Sequence, residues 1–326
     1  MKRFKSKKRK KHYFFKFLII LGIIYFSFLT CYKFLVNKYL KKQIYRTKYV
    51  NNLVNKSTSN IIENKKNDIL KTLSSPSFLL QNSLSNIKKV NDEYFVEDET
   101  EETYKKLKEK SSYIENPNKT ENDDNPVIYI YNTHQLENYQ ANYNTAYSIN
   151  PNVLMASYLL KEKLNDLKIP SIVEEGNISD YLSQNNLKYS ASYKASRHFI
   201  EEKLSKYNTF KYIIDLHRDS IGRDKTTINV NDKSYAKTMF LIGTDFSPNE
   251  INLNLAEKAC NYLNQEVENI CKGVLKKGGK GVNGIYNQDM FNGAMLIEVG
   301  GVENNIDEIS NTIEIYARVL KRIVEE

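Results

Sequence analysis

An imidazole and a carboxylate three residues apart, His134 and Glu137, stand directly beyond Val127-Ile-Tyr-Ile-Tyr131, a β-branched and aromatic run that reads as a short strand. A second histidine, His217, ends another such run, Tyr212-Ile-Ile-Asp-Leu-His217, and Glu298 lies in a third, Ala294-Met-Leu-Ile-Glu-Val299. Imidazole nitrogens and carboxylate oxygens are zinc ligands, and a catalytic zinc site takes three of them and leaves one position to water. His134, Glu137 and His217 supply two imidazoles and one carboxylate for such a set. Glu298, alone in an apolar strand, is the candidate for a separate proton-shuttling carboxylate, because burial raises a carboxyl pKa toward a useful range. The same residue types have a structural alternative, in which both histidines cap strands and Glu298 pairs with a buried arginine.

Lesser roles fall to neighbours of these residues. Asp215, two residues before His217 and so on the same strand face, is placed to orient an imidazole. Arg218 is a candidate for binding a substrate carboxylate or an oxyanion. His198 lies in the middle of an expected helix and reads as structural. Ser190, Ser192 and Ser196 lack the Gly-x-Ser-x-Gly setting of a serine hydrolase, which occurs nowhere in the chain.

Elements that could position this set begin at Pro126, from which strands alternate with helices. A helix is expected after Asn150-Pro151, with Val153, Ala156, Leu160, Leu164 and Leu167 along one face. Further helices are expected over Ser190 to Tyr207, Pro248 to Glu268 and Ile306 to Val324, and strands at Ser171 to Glu174 and Thr238 to Gly243. Asn231-Asp232 reads as a hairpin turn, and Lys272 to Gly284 as a Gly- and Lys-rich loop. This is the pattern of an α/β domain with a mostly parallel or mixed sheet flanked by helices. In such sheets ligands bind at the carboxyl ends of the strands, where residues spread over the chain converge.

The first 125 residues are of a different kind. The chain of 326 residues carries a formal net charge of +9, but residues 1 to 36 alone hold ten Lys and Arg and no acid. The remainder has 38 basic against 39 acidic side chains, so nucleic acid is excluded as the partner. Residues 1–16 read as a basic cytoplasmic tail and residues 17–36 as a transmembrane helix, with the catalytic part extracytoplasmic by the positive-inside rule. A cleaved signal peptide is disfavoured, because Cys31-Tyr-Lys-Phe offers no small-x-small site. Residues 37–125 read as an extracytoplasmic stalk, the part from 97 onward as a solvated linker. Cys260 and Cys271 are expected to be free thiols, since two cysteines make no disulfide framework.

Five segments, Tyr129 to Tyr139, Tyr212 to Ser220, Ala236 to Gly243, Ile285 to Asp289 and Leu296 to Gly300, resemble in order the motifs of stage II sporulation protein P, a family of membrane-anchored cell-wall hydrolases. The resemblance covers residues 126–326. It implies a zinc-dependent N-acetylmuramoyl-L-alanine amidase fold and activity on peptidoglycan during engulfment, with endopeptidase activity on the cross-links as an addition. By position it makes His134 and His217 zinc ligands, Glu137 the carboxylate of His-x-x-Glu and Glu298 the catalytic acid. It implies stage II sporulation proteins D and M as partners at the membrane between mother cell and forespore. Asn132 departs from the family, where a His before Thr-His is expected, and is placed outside the metal's ligands. Two rival functions remain at this point: a metallocarboxypeptidase-like cell-wall peptidase, which shares the order His-x-x-Glu, His, Glu, and a non-catalytic membrane scaffold.

Overall fold

The computed structural model of the chain describes residues 100–116, 125–140 and 151–326. The expected basic tail, transmembrane helix and most of the stalk lie outside these residues. Among the described residues no helix is long and apolar enough to cross a membrane.

A six-stranded sheet forms the centre, in the order β2 (Ser171–Val173), β1 (Ile128–Tyr131), β3 (Tyr212–Asp219), β8 (Ala294–Gly301), β6 (Thr238–Gly243), β7 (Cys271–Lys277). The first four run parallel; β6 pairs with β8 antiparallel, and β7 follows β6. The sheet is therefore mixed. A separate hairpin joins β4 (Thr227–Val230) to β5 (Lys233–Ala236). Its turn residues Asn231 and Asp232 both have positive φ, 50° and 58°, as a two-residue turn between twisted strands demands.

Side-chain alternation divides the sheet into two faces. Ile128, Ile130 and Ile214 belong to the face covered by α2 (Val153–Asp166) and α6 (Ile306–Glu325). The Asn152 side chain caps α2 by accepting from Met155 N, and Asn305 and Glu308 close a capping box on α6. On α6, Ile309, Ile313, Tyr316 and Leu320 are buried along one stripe, which is the 3.6-residue period expected of a helix on a core. On the other face, Tyr129, Tyr131, Ile172 and Ile213 pack with Ile200 of α4 (Ser192–Lys206) and with Phe210. The first turn of that helix also reaches β6 and β8, where Tyr193 packs with Leu241 and Leu296. The short helix α3 (Ile178–Gln184) lies beside it, and α5 (Glu250–Glu266) packs on β6 and β7.

Three expectations are corrected. Cys271 to Lys277, expected as loop, is a strand at the sheet's edge, where three lysines, of which Lys276 is exposed, and a glycine obscure its alternation. Cys260 and Cys271 are not free but form a disulfide that ties α5 to the start of β7, their Cα atoms 5.5 Å apart. Closing a loop of 11 residues stabilises by about 3 kcal/mol on the chain-entropy estimate. Replacing both cysteines by alanine is accordingly expected to lower unfolding free energy by about that amount in denaturant titration.

The third correction concerns residues 100–116, expected to be solvated linker. They contain α1 (Glu101–Lys110), capped by Thr100 and followed by a packed segment. Leu107 is buried with Leu136, Ile178, Leu182 and Tyr189. Asn152 Nδ2 donates to Ser111 Oγ at 2.8 Å, and Tyr158 Oη to the Ile114 carbonyl at 3.0 Å. One buried leucine per ten residues leaves no helical period to read, so a polar composition hid a docked helix.

Candidate active site

Strand register sets the polar residues level with one another. Tyr131 pairs with Asp215 and His217 with Glu298, so the end of β1 meets the interior of β3 and β8. His217 and Glu298 thus lie within their strands rather than at the ends, and β3 runs on to Asp219 past an irregularity in its pairing. Just beyond β1 the chain turns, Glu137 N donating to the His134 carbonyl at 3.0 Å. His134, Glu137, His217, Arg218 and Glu298 all line one cavity of about 420 Å³. The five candidates from the sequence therefore converge, although His134 and Glu298 are 164 positions apart.

Each histidine is held from behind. His217 Nε2 lies 2.9 Å from Asp215 Oδ1, and Asp215 is itself fixed by donations from Thr133 N at 2.9 Å and Thr133 Oγ at 2.7 Å. His134 Nδ1 is 2.8 Å from the hydroxyl of Tyr189. The two rings stand edge to face with centroids 5.3 Å apart. Glu137 Oε2 lies 3.4 Å from His217 Nδ1 and accepts from Arg218 N at 3.1 Å. Arg218 is built into the wall, its Nε donating to the Asn138 carbonyl at 3.0 Å. Asn132 does not line the cavity: its side chain donates to the Leu216 carbonyl and accepts from Ser157 Oγ at 2.9 Å, pinning β1 to β3.

The carboxylates differ sharply in charge state. Burial opposes ionisation of Glu137, but the His217 charge and hydrogen bond, with Arg218 and His134, outweigh it and hold the carboxyl down at about 2. Burial pushes Glu298 the other way, up to about 8, with the Glu137 and Asp219 charges adding to the effect and His217 and Arg218 opposing it. Glu298 Oε2 is enclosed and has no hydrogen-bond partner among the described residues. Burial also opposes the charge on His217, yet Asp215 and then Glu137 raise its imidazole well above the ordinary range. Two buried carboxyl groups shifted in opposite directions beside one imidazole make this cavity a candidate functional site.

Among the described residues no group of three or more His, Cys, Asp and Glu is already drawn together as a cation site. Glu137 instead leans on His217, and His134 on Tyr189. The donor chemistry nonetheless fits a divalent cation such as zinc. Two imidazoles and a carboxylate share one cavity; His134 Nδ1 is hydrogen-bonded to a rear hydroxyl, and His217 Nε2 lies 2.9 Å from the Asp215 carboxylate without hydrogen-bond geometry, near the kind of support that ligating histidines have.

Other residues sort by position. His198 is exposed on α4, 3.8 Å from Glu202, and does not line the cavity. Ser192 Oγ donates to the Tyr189 carbonyl, and Ser196 Oγ sits between Thr133 and Asn287, so both are structural; Ser190 is exposed at the cavity rim. Neither Tyr189, 55 residues from the histidine it holds, nor Lys277 is marked by any sequence pattern. Lys277 lines the same cavity; burial lowers the pKa of its ammonium, and the Glu298 and Asp219 charges oppose that shift. The apolar part of the lining is Met239, Leu241, Leu275 and Leu296.

The family model described as stage II sporulation protein P matches residues 36–321. The stage II sporulation protein P of Bacillus subtilis (strain 168) is 29% identical over 238 residues, 70% of this chain. The matched part spans 59% of that relative's length. Among solved structures, the CwlD amidase from Clostridioides difficile in complex with the GerS lipoprotein has a TM-score of 0.38 at 15% identity, covering 61% of this chain and 99% of that one. The N-acetylmuramoyl-L-alanine amidase from Clostridium difficile 630 has a TM-score of 0.37 at 12% identity, covering 62% and 99%.

Proposed function

The chain belongs to the stage II sporulation protein P family, and on that premise we propose that it hydrolyses the amide between the glycan's lactyl group and the stem peptide of peptidoglycan. The observation that carries the reading is the pairing of Glu298, a carboxyl that burial pushes up to about 8, with His217 across one register step in the cavity that also holds His134 and Glu137. His134, Glu137 and His217 would hold zinc, which when bound supplies an acidified water and a Lewis acid for the amide carbonyl.

The chain's own residues do the rest. Asp215, braced by Thr133, keeps His217 in one orientation, and Arg218 N does the same for Glu137. Glu298 removes a proton from the attacking water and returns it to the departing nitrogen, a transfer that works best when its pKa lies near the working pH. The apolar lining of Met239, Leu241 and Leu275 receives the peptide, and Lys277 in the same cavity contacts a peptide carboxylate. Lys277→Gln is expected to raise KM about tenfold with kcat little changed, because a contact present before and during reaction affects binding uniformly.

Anchoring by residues 17–36, an extracytoplasmic catalytic domain and action with stage II sporulation proteins D and M during engulfment belong to the same proposal. So does endopeptidase activity on the cross-links. Zinc determination on the purified chain separates the enzyme from a scaffold, which would carry none. Product analysis separates it from a metallocarboxypeptidase, which would release single C-terminal residues rather than whole stem peptides.

A further inference from the structure

The segment just before the catalytic domain meets the site chiefly at one residue, Tyr189. Tyr189 opens the short turn Tyr189–Ala191 ahead of α4, and its hydroxyl is the 2.8 Å partner of His134 Nδ1. The opposite side of that ring is stacked by Tyr104 of α1, with centroids 4.6 Å apart and planes 7° from parallel. The Tyr189 amide donates to Glu101 Oε1, also on α1, at 2.7 Å. Leu107, one turn further along, buries itself against Leu136, which lies between His134 and Glu137 in sequence, and against Tyr189. Three independent contacts of α1 therefore end on Tyr189 or on the loop that carries two of the candidate ligands.

A neutral imidazole has one donor nitrogen and one acceptor nitrogen, and the partner of one decides the role of the other. When Nδ1 donates to the Tyr189 oxygen, Nε2 of His134 is left with its lone pair and can ligate. If the hydroxyl donates instead, Nε2 carries the proton and cannot. A hydroxyl held still in front of Nδ1 fixes the ring's direction; one free to swing does not.

We propose that Tyr189 and Tyr104 are positioning residues for His134, so that α1, docked on Tyr189, sets the site's affinity for its cation. The inference rests on the reading of His134 as a ligand. It makes the chain immediately upstream of the catalytic domain part of the site's construction, and gives the domain a handle by which whatever holds that segment alters metal loading.

The test uses the full-length chain and zinc alone, with affinity measured by competition against a chelator. Tyr189→Phe keeps the ring and its stack and removes one oxygen; it is expected to weaken zinc about tenfold, the lower end of the range for loss of such a supporting partner. Tyr104→Ala is expected to weaken zinc in the same direction, and Tyr104→Phe, which restores the stack, to recover wild-type affinity. Melting temperature is followed in parallel. Wild-type zinc affinity in both Tyr189→Phe and Tyr104→Ala, whatever their melting temperatures, would overturn the proposal and reduce α1 to a structural strap. His134→Ala serves as the control: if it binds zinc as tightly as wild type, His134 is not a ligand and the functional reading fails together with this one. If Tyr104→Ala does not fold, Tyr189→Phe alone decides.

Discussion

Glu298→Gln is expected to lower kcat on peptidoglycan by 10² to 10⁴, roughly what a positioned acid–base group contributes, while zinc content stays at the wild-type level. The substitution keeps the shape of the side chain and its place opposite His217, and it removes only the capacity to take up and release a proton. Because burial already pushes the Glu298 carboxyl up to about 8, a neutral amide imposes little new desolvation, and the fold is expected to be unharmed. Metal analysis and steady-state kinetics on the same preparation check both halves. Full turnover in Glu298→Gln would remove Glu298 from the chemistry; loss of zinc would make it a ligand instead.

His217→Ala is expected to act on everything at once. Its imidazole bridges Asp215 at 2.9 Å and Glu137 at 3.4 Å, both buried carboxylates. Without it these negative charges face each other's neighbourhood with no cation between them, and removing one partner of a buried pair costs about 3 to 5 kcal/mol. Zinc is expected to fall to background, activity to be lost with it, and the denaturant midpoint to drop. His217→Asn, which keeps a polar side chain of similar breadth, is expected to recover part of the stability and none of the metal. Retention of stoichiometric zinc by His217→Ala would contradict its place in the donor set.

The candidate residues were legible for two reasons: His134 and Glu137 by their His-x-x-Glu spacing beyond a strand, the others by an apolar setting that makes them conspicuous. Glu298 stands out in Met-Leu-Ile-Glu-Val, and Asp215 and His217 in the run Tyr-Ile-Ile-Asp-Leu-His. Strands β1, β3 and β8 were legible for the same reason, since central parallel strands buried on both faces read as apolar runs. The order of strands was not legible, and neither was the reversal of β6 and β7, because antiparallel and parallel pairing leave the same local pattern.

What escaped the sequence is what depends on distant parts meeting. Thr133 braces Asp215 across 82 positions, and Tyr189 reaches His134 across 55. The disulfide requires that the end of α5 and the start of β7 lie side by side, which follows only once β7 is known to be a strand. In α1 only Leu107 is fully buried, and Tyr104 packs half-buried through its stack on Tyr189, too little to show as an apolar stripe. Asn132 was legible only as a departure from a family pattern; its hydrogen bonds to Leu216 and Ser157 explain why an asparagine suits that place.

The most direct measurement is digestion of isolated sacculi by the purified full-length chain, with zinc and again with chelator, followed by mass spectrometry of the released fragments. The expected result is intact stem peptides with a free L-alanine amine and glycan strands with a free lactyl carboxylate, formed with zinc and absent with chelator. Muropeptides left unchanged in the presence of zinc, or cleavage indifferent to the chelator, would contradict the assignment of His134, Glu137, His217 and Glu298 to metal-assisted amide hydrolysis.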